Sequence, residues 1–428
     1  MAGSTRSIRP KVLPAAAGES IRRPAPAGDH RGVDATTIAL NRNSVQPSPP
    51  TARLVGLDVA RALAVFGMFA AHTMSGGWLF SLVEGRAAAL FAVLAGVSIA
   101  LLSGGSQPYT GDRMRMSRVR IAVRAVLLFL LGLALTSLQT PAMVILSFYG
   151  VLFLVSIPLL RVRSTTLAVL AAVFAIGGPL LSFVLRQGIE TNMIGYVPSF
   201  GDFGSGTGLW TLLHSLLLTG AYPVLTWLPF VLVGMALGRL DLRAVRGRIV
   251  VLGAGLGVLG YGASWLAMNV FGVRESLLAI LPPGLPPQLL DIVMSSSYGH
   301  VPTTSALWLF SSGAHSGTPF EIVGASGVAM AVLGLCLFAE RLRGALTPLA
   351  SVGALALTAY AGHLLALKAF GVKQLQEVMS SGYTYVPWLV LVVVTLVFCT
   401  AWRKLLGRGP LEWVLHQASI APARMSRS

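Results

Sequence analysis

Ten apolar segments, each long enough to cross about 30 Å of hydrocarbon as a helix, recur along the sequence, and nothing else restricts its fold so tightly. They lie near 54–75, 86–104, 121–138, 143–160, 165–185, 217–238, 249–271, 320–339, 350–369 and 385–402. Backbone N–H and C=O groups in hydrocarbon must be satisfied within the protein, so this pattern predicts an all-α, polytopic membrane helix bundle of about ten transmembrane helices. Pro223 and Pro229 interrupt the sixth segment. Only 11% of the 428 residues are charged, against roughly 25% in soluble domains, which excludes an ordinary soluble enzyme.

A net charge of +17 would suit a nucleic-acid binder if the basic residues formed one patch. They alternate instead. With the N-terminus cytoplasmic, the inner loops hold Arg113, Arg115, Arg118, Arg120 and Arg124, then Arg161 and Arg163, then Arg239, Arg243, Arg246 and Arg248, then Arg341 and Arg343. Together with both tails this places 26 of the 32 Lys and Arg residues on one side. The bias predicts cytoplasmic N- and C-termini in a multi-pass protein of the plasma membrane, in contact with lipid and not with nucleic acid. Residues 1–53 read as a disordered basic cytoplasmic tail, 54–402 as the membrane domain and 403–428 as a cytoplasmic C-terminal tail. Arg outnumbers Lys 28 to 4, which points to a GC-rich bacterial genome. Cys336 and Cys399 sit in apolar runs and His214 and His300 in or beside outer loops without a carboxylate at ligand spacing, so no metal site is expected.

The informative charges are those that break the alternation. An ionisable group at membrane depth is costly and marks a functional candidate. The first segment carries three, Asp58, Arg61 and His72, in GLDVARALAVFGMFAAH. At 100° per residue they fall within an arc of about 60°, and Arg61 and His72 stand about 16 Å apart along the axis. Asp58 and Arg61 are either an i,i+3 pair anchoring the helix or part of a polar path with His72. Histidine suits proton handling because its ordinary pKa is near neutrality.

At these residues the chain resembles the transmembrane acyltransferase superfamily, which includes the acyltransferase-3 proteins, the heparan-α-glucosaminide N-acetyltransferases and the YeiB-like proteins. The shared opening is LD, then Arg61, ten residues and His72. Further YeiB-like stretches are EGRAAALFAVLAGVSIAL (84–101), ILSFYGVLFL (145–154), YPVLTWLPFVLVGMALGRLDL (222–242), HSGTPFEIVGASG (315–327), PLASVGALALTAYAGHLL (348–365) and GPLEW (409–413). The resemblance implies acyl transfer from cytosolic acyl-CoA, usually acetyl-CoA, to an extracytoplasmic acceptor such as an amino sugar or glycan. It maps the family's histidine onto His72 and its arginine onto Arg61, with Asp58 beside it. The chain departs from the acyltransferase-3 Arg-x-x-Arg loop, offering RMRMSRVRIAVR instead.

Arg120 and Arg124, four apart where the third segment enters the membrane, are the candidate contacts for acyl-CoA phosphates. Arg86, Glu321 and His363 are candidate acceptor-binding residues, His363 paired in sequence with Tyr360. Tyr149 reads as core packing. A different reading of the same polar stripe is a proton-coupled small-molecule or lipid transporter, although no clear inverted repeat accompanies it. A non-catalytic scaffold would leave the stripe unexplained.

Overall fold

The computed structural model describes residues 54–189, 195–204, 208–281, 286–295 and 297–425; the tail expected over 1–53 and the last three residues lie outside them. The described regular elements are all helical. They are α1 (Val55–Thr73), α2 (Gly77–Val83), α3 (Arg86–Leu102), α4 (Gly111–Thr136), α5 (Leu146–Ser156), α6 (Ser164–Leu185), α7 (Gly208–His214) and α8 (Val224–Gly238). Then come α9 (Leu242–Asn269), α10 (Val273–Ala279), α11 (Gln288–Ser295), α12 (Pro319–Phe338), α13 (Thr347–Ala354), α14 (Ala356–Phe370), α15 (Val372–Ser380), α16 (Val386–Leu405) and α17 (Pro410–Met425).

Among the described residues seven helices are long and apolar enough to cross a membrane, or nine if each of two bent pairs is one span. The expected figure of ten differs at three places, each for a local reason. The segment near 143–160 begins its helix only at Leu146, leaving Met143–Ile145 in irregular backbone beside the central cavity, and the resulting helix is short. The segment near 217–238 bends by 54°. Pro223, at the N-cap of α8, lacks the N–H that a continuous helix would need.

The segment near 350–369 bends by 80° at Leu355 with no proline to cause it. Here α17 supplies the missing partner. The Glu412 carboxylate accepts from the backbone N–H groups of Leu357 (2.8 Å) and Thr358 (3.1 Å) and from the Thr358 hydroxyl (2.5 Å). A carboxylate at a helix N-terminus satisfies orphan donors and complements the helix dipole, so the GPLEW stretch caps α14 from another element.

Small residues let the helices approach closely, as in other membrane bundles. A Cβ at Gly353 would run into the backbone carbonyl of Asp58, so α13 lies directly on the start of α1. Gly96 and Gly234 play the same part between α3 and α8. The outward faces stay apolar: Val390, Val393, Val394 and Val397 of α16 and Val251 and Val258 of α9 are exposed. In hydrocarbon this surface needs no further cover.

Candidate functional site

Polar groups occupy the bundle interior in two tiers, one toward the arginine-rich end and one toward the opposite end. In the first, Asp58 is buried and Arg61 Nη1 donates to its carboxylate at 2.9 Å, while Arg61 Nη2 donates to the Ser98 hydroxyl on α3 at 2.8 Å. The i,i+3 pair is therefore formed, and the guanidinium bridges α1 to α3. Arg61, Ser98, Arg124, Tyr149, Leu357 and Glu412 are among the residues that line a cavity of about 230 Å³.

Of the five arginines at the start of α4, Arg113, Arg115 and Arg118 are exposed, whereas Arg120 and Arg124 are part-buried and their Nε atoms are shielded without a hydrogen-bond partner. Those two are thus less exposed than the other three arginines. Arg124 shares the cavity with Arg61.

The second tier lies around His72, about 16 Å further along α1. His72 Nδ1 is 3.0 Å from His363 Nε2 on α14, and the two rings stack at 5.2 Å between centroids. Tyr360 meets the His363 ring edge-on at 5.1 Å and Phe69 packs against it at 4.8 Å. Because Nδ1 is engaged, Nε2 is the nitrogen of His72 left to react.

His72 lines a cavity of about 20 Å³ together with Ala88, Met143, Tyr222, His315 and Tyr360. That is room for about one water molecule. Tyr149 separates the two tiers. Its ring lines the larger cavity and stacks on Phe91 at 5.8 Å, while its hydroxyl donates at 3.3 Å to the carbonyl of Ala88, which lines the smaller one. A residue expected only to pack is the partition between them.

His315 is the residue that periodicity did not flag. It sits in the turn before α12, 8% exposed, in the left-handed region with φ +60°. The turn is held on all sides: the Gly299 N–H donates to the His315 carbonyl at 2.6 Å, and Thr318 Oγ1 donates to the Ser311 carbonyl at 2.6 Å. Gly317, with φ +63°, passes so close to the Gly299 carbonyl and Thr226 that a side chain would not fit. The imidazole is packed among Tyr222, Trp227 and Tyr298, with centroids 5.4–5.9 Å away. Its Nδ1 is buried without a hydrogen-bond partner. Burial, with a smaller contribution from the nearby His72, pulls the His315 imidazole down to about 4, so it is neutral near physiological pH. The sequence signal was its place at the head of the YeiB-like stretch HSGTPFEIVGASG, but a loop residue has no period to place it.

Arg86 and Glu321 do not join His72. Arg86 Nη1 donates to the Ser81 carbonyl at 2.6 Å and its guanidinium lies 4.6 Å over the Tyr261 ring. It borders a separate, almost wholly apolar groove of about 340 Å³ lined by Leu63, Leu82, Leu90, Val328 and Trp388 among others. Glu321 is buried at the start of α12, its backbone N–H bonded to Thr318 Oγ1, within electrostatic reach of Arg86. Among the described residues no group of three His, Cys, Asp or Glu side chains could hold a metal ion.

Residues 53–255 match the family described as heparan-alpha-glucosaminide N-acetyltransferase, catalytic. Residues 272–421 match the family described as protein of unknown function (DUF418). In these two regions the chain is similar to the heparan-α-glucosaminide N-acetyltransferase-like and YeiB-like membrane proteins. The first match is to an acetyltransferase catalytic family, and the apolar helices are those of a multi-pass membrane protein. No curated protein matches the chain. The two matched regions meet at the site. His72, Arg61 and Arg124 come from the first, while His315, His363 and Glu412 come from the second, so the contact between His72 and His363 joins them.

Proposed function

We propose that the protein transfers an acyl group, most simply acetyl, from acyl-CoA on the cytoplasmic side to an amine or hydroxyl acceptor such as an amino sugar on the far side of a bacterial plasma membrane. The observation that carries this reading is the two-tier interior: an arginine-lined cavity stacked end to end with a histidine-lined one on a single helix face. Both termini would be cytoplasmic, with the arginine-rich end of the bundle facing the donor.

A cavity of about 230 Å³ is smaller than the ~300–1,000 Å³ that hold whole drug-sized ligands. It suits the slender acyl-pantetheine arm, leaving the nucleotide at its mouth, where Arg120 and Arg124 would contact phosphates through charge-assisted hydrogen bonds. Arg61, fixed by Asp58 and Ser98, would hold the arm. His72 then reacts through Nε2. With its Nδ1 proton donated to His363 the ring is oriented and Nε2 carries the free lone pair, so it attacks the thioester carbonyl and becomes a transient acyl carrier. Movement of Tyr149 is needed for the thioester to pass from one tier to the other.

The test uses purified protein in lipid nanodiscs with [1-14C]acetyl-CoA, following CoA release and protein-bound label. Wild type is expected to take up label, whereas His72→Ala binds CoA and takes up none. Absence of CoA binding by wild type in every lipid tested would sink the acyltransferase reading. The stacked cavities would also suit a proton-coupled transporter, and proton-driven solute uptake without thioester cleavage would favour that alternative.

A further inference from the structure

The small cavity has two histidines on its wall, and a transfer by way of His72 alone uses only one of them. His72 is already provided with a partner on Nδ1 by His363. His315, buried and held in a left-handed turn by the loop around it, directs no hydrogen bond to any protein group through Nδ1. A buried polar nitrogen without a partner carries a cost of about 1–3 kcal/mol, and a non-glycine residue at positive φ adds to it. Both are retained here at the edge of a space that fits one small polar atom group.

We propose that His315 is the acceptor-side base of this centre, and that the cavity between it and His72 receives the nucleophilic nitrogen or oxygen of the acceptor. The inference rests on the acyl-carrier reading of His72. In the first half-reaction the His72 Nε2 lone pair forms a bond to the acyl carbon, the carbon–sulfur bond breaks, and CoA leaves as a thiolate that takes a proton from the cytoplasmic side. The Nδ1 proton of His72 passes to His363, which leaves a neutral acyl-imidazole.

In the second half-reaction the acceptor amine or hydroxyl forms a bond to the acyl carbon. Its proton goes to His315, the bond to His72 Nε2 breaks, and His363 returns the proton to His72 Nδ1. His315 then releases its proton to the far side, balancing the one taken up by the thiolate. The ring's setting suits this task. Neutral at physiological pH, packed among Tyr222, Trp227 and Tyr298, it cannot swing away, and Gly299 fixes the backbone from which it projects. The size of the cavity restricts the acceptor to an unhindered primary amine or hydroxyl, with the remainder of the molecule on the outer side. His72 comes from the first matched region of the chain and His315 from the second, so the centre needs both.

The half-reactions can be read separately without knowing the natural acceptor. Protein in nanodiscs is pulsed with [1-14C]acetyl-CoA, freed of it, and chased in buffer alone or with D-glucosamine, for wild type, His315→Ala and His315→Gln. The expected result is near-normal label uptake, which also reports an intact fold, with loss of label to water or glucosamine slowed by about 10²-fold or more. Label lost from both variants at the wild-type rate overturns the inference, as does a failure of both variants to take up label, since His315 would then serve the donor half or the fold. Wild type that takes up no label overturns the acyl-carrier reading itself, a result distinguishable from the other two.

Discussion

Arg239 separates two accounts of the same positive charge. By sequence it is one of the inner-loop arginines that set orientation, a role lysine fills equally well. In the structure it is only 6% exposed, and it closes the ends of several elements. Nη1 donates to the carbonyls of Ala100 (3.1 Å) and Gly105 (2.8 Å), and Nη2 to the Ser103 hydroxyl (2.9 Å) and to the Leu160 carbonyl. These acceptors include carbonyls at the C-terminal ends of α3 and of the helical turn after α5, although the Ala100 carbonyl also accepts from the Ser103 and Gly105 N–H groups.

Four charge-assisted bonds would each be worth up to ~1.5–3 kcal/mol, much of it offset by desolvating the guanidinium. Arg239→Lys keeps the charge but replaces a planar fork by a point donor that reaches at most some of these acceptors, for a loss of about 2 kcal/mol. Arg239→Met abandons all of them, for a loss of about 4 kcal/mol. For a chain of 428 residues that corresponds to midpoint shifts of roughly 2 °C and 4 °C. The assay is thermal unfolding in one detergent, with Arg248→Lys, at an exposed arginine in the second turn of α9, as the control expected to lie within about 0.6 °C of wild type, or ~0.5 kcal/mol. If Arg239→Lys unfolds with Arg248→Lys and wild type, Arg239 is a topology charge only and the clamp has no energetic weight.

Glu412→Ala should destabilise the chain by about 3 kcal/mol by stranding the two N–H groups and one hydroxyl it serves at the α13/α14 bend, with Glu412→Gln losing roughly half as much; equal midpoints for the two variants would refute the role of the charge. His363→Ala is expected to slow acetyl uptake on His72 by about 10²-fold with CoA affinity unchanged, and uptake at the wild-type rate would show that the 3.0 Å contact does not assist the ring. His300 adds a dependence on pH. Burial first, and then Arg186, lower its pKa to about 4, with Nε2 bonded to the Thr219 carbonyl and Nδ1 facing the guanidinium. Stability is therefore unaffected above the unfolded value of 6.5 and falls by up to about 3 kcal/mol as pH drops from 6.5 toward 4, because the unfolded chain takes the proton first. His300→Gln should flatten that part of the thermal-midpoint profile, and an unchanged slope would exclude His300 as its cause.

Apolar runs were enough to establish an all-helical bundle with several membrane-spanning helices, because in hydrocarbon each helix must satisfy its own backbone and length follows from bilayer thickness, but the expected ten are seven, or nine with the bent pairs, among the described residues. The face shared by Asp58, Arg61 and His72 was equally legible, since helix geometry converts spacing into direction without help from neighbours. Everything that depends on two elements meeting was decided by the tertiary structure. That Arg61 reaches Ser98 on α3 as well as Asp58 could not be read from one helix. Arg120 and Arg124 differ from their neighbours only through what packs beside α4. The bend at Leu355 carries no proline signal, and its stabilising carboxylate, Glu412, lies more than fifty residues away in sequence. His363 reached His72 across 291 positions, and His315 reached the same cavity from a turn held by Gly299. Periodicity is a property of one helix at a time, whereas a site built from two matched regions of the chain exists only where their helices are packed together.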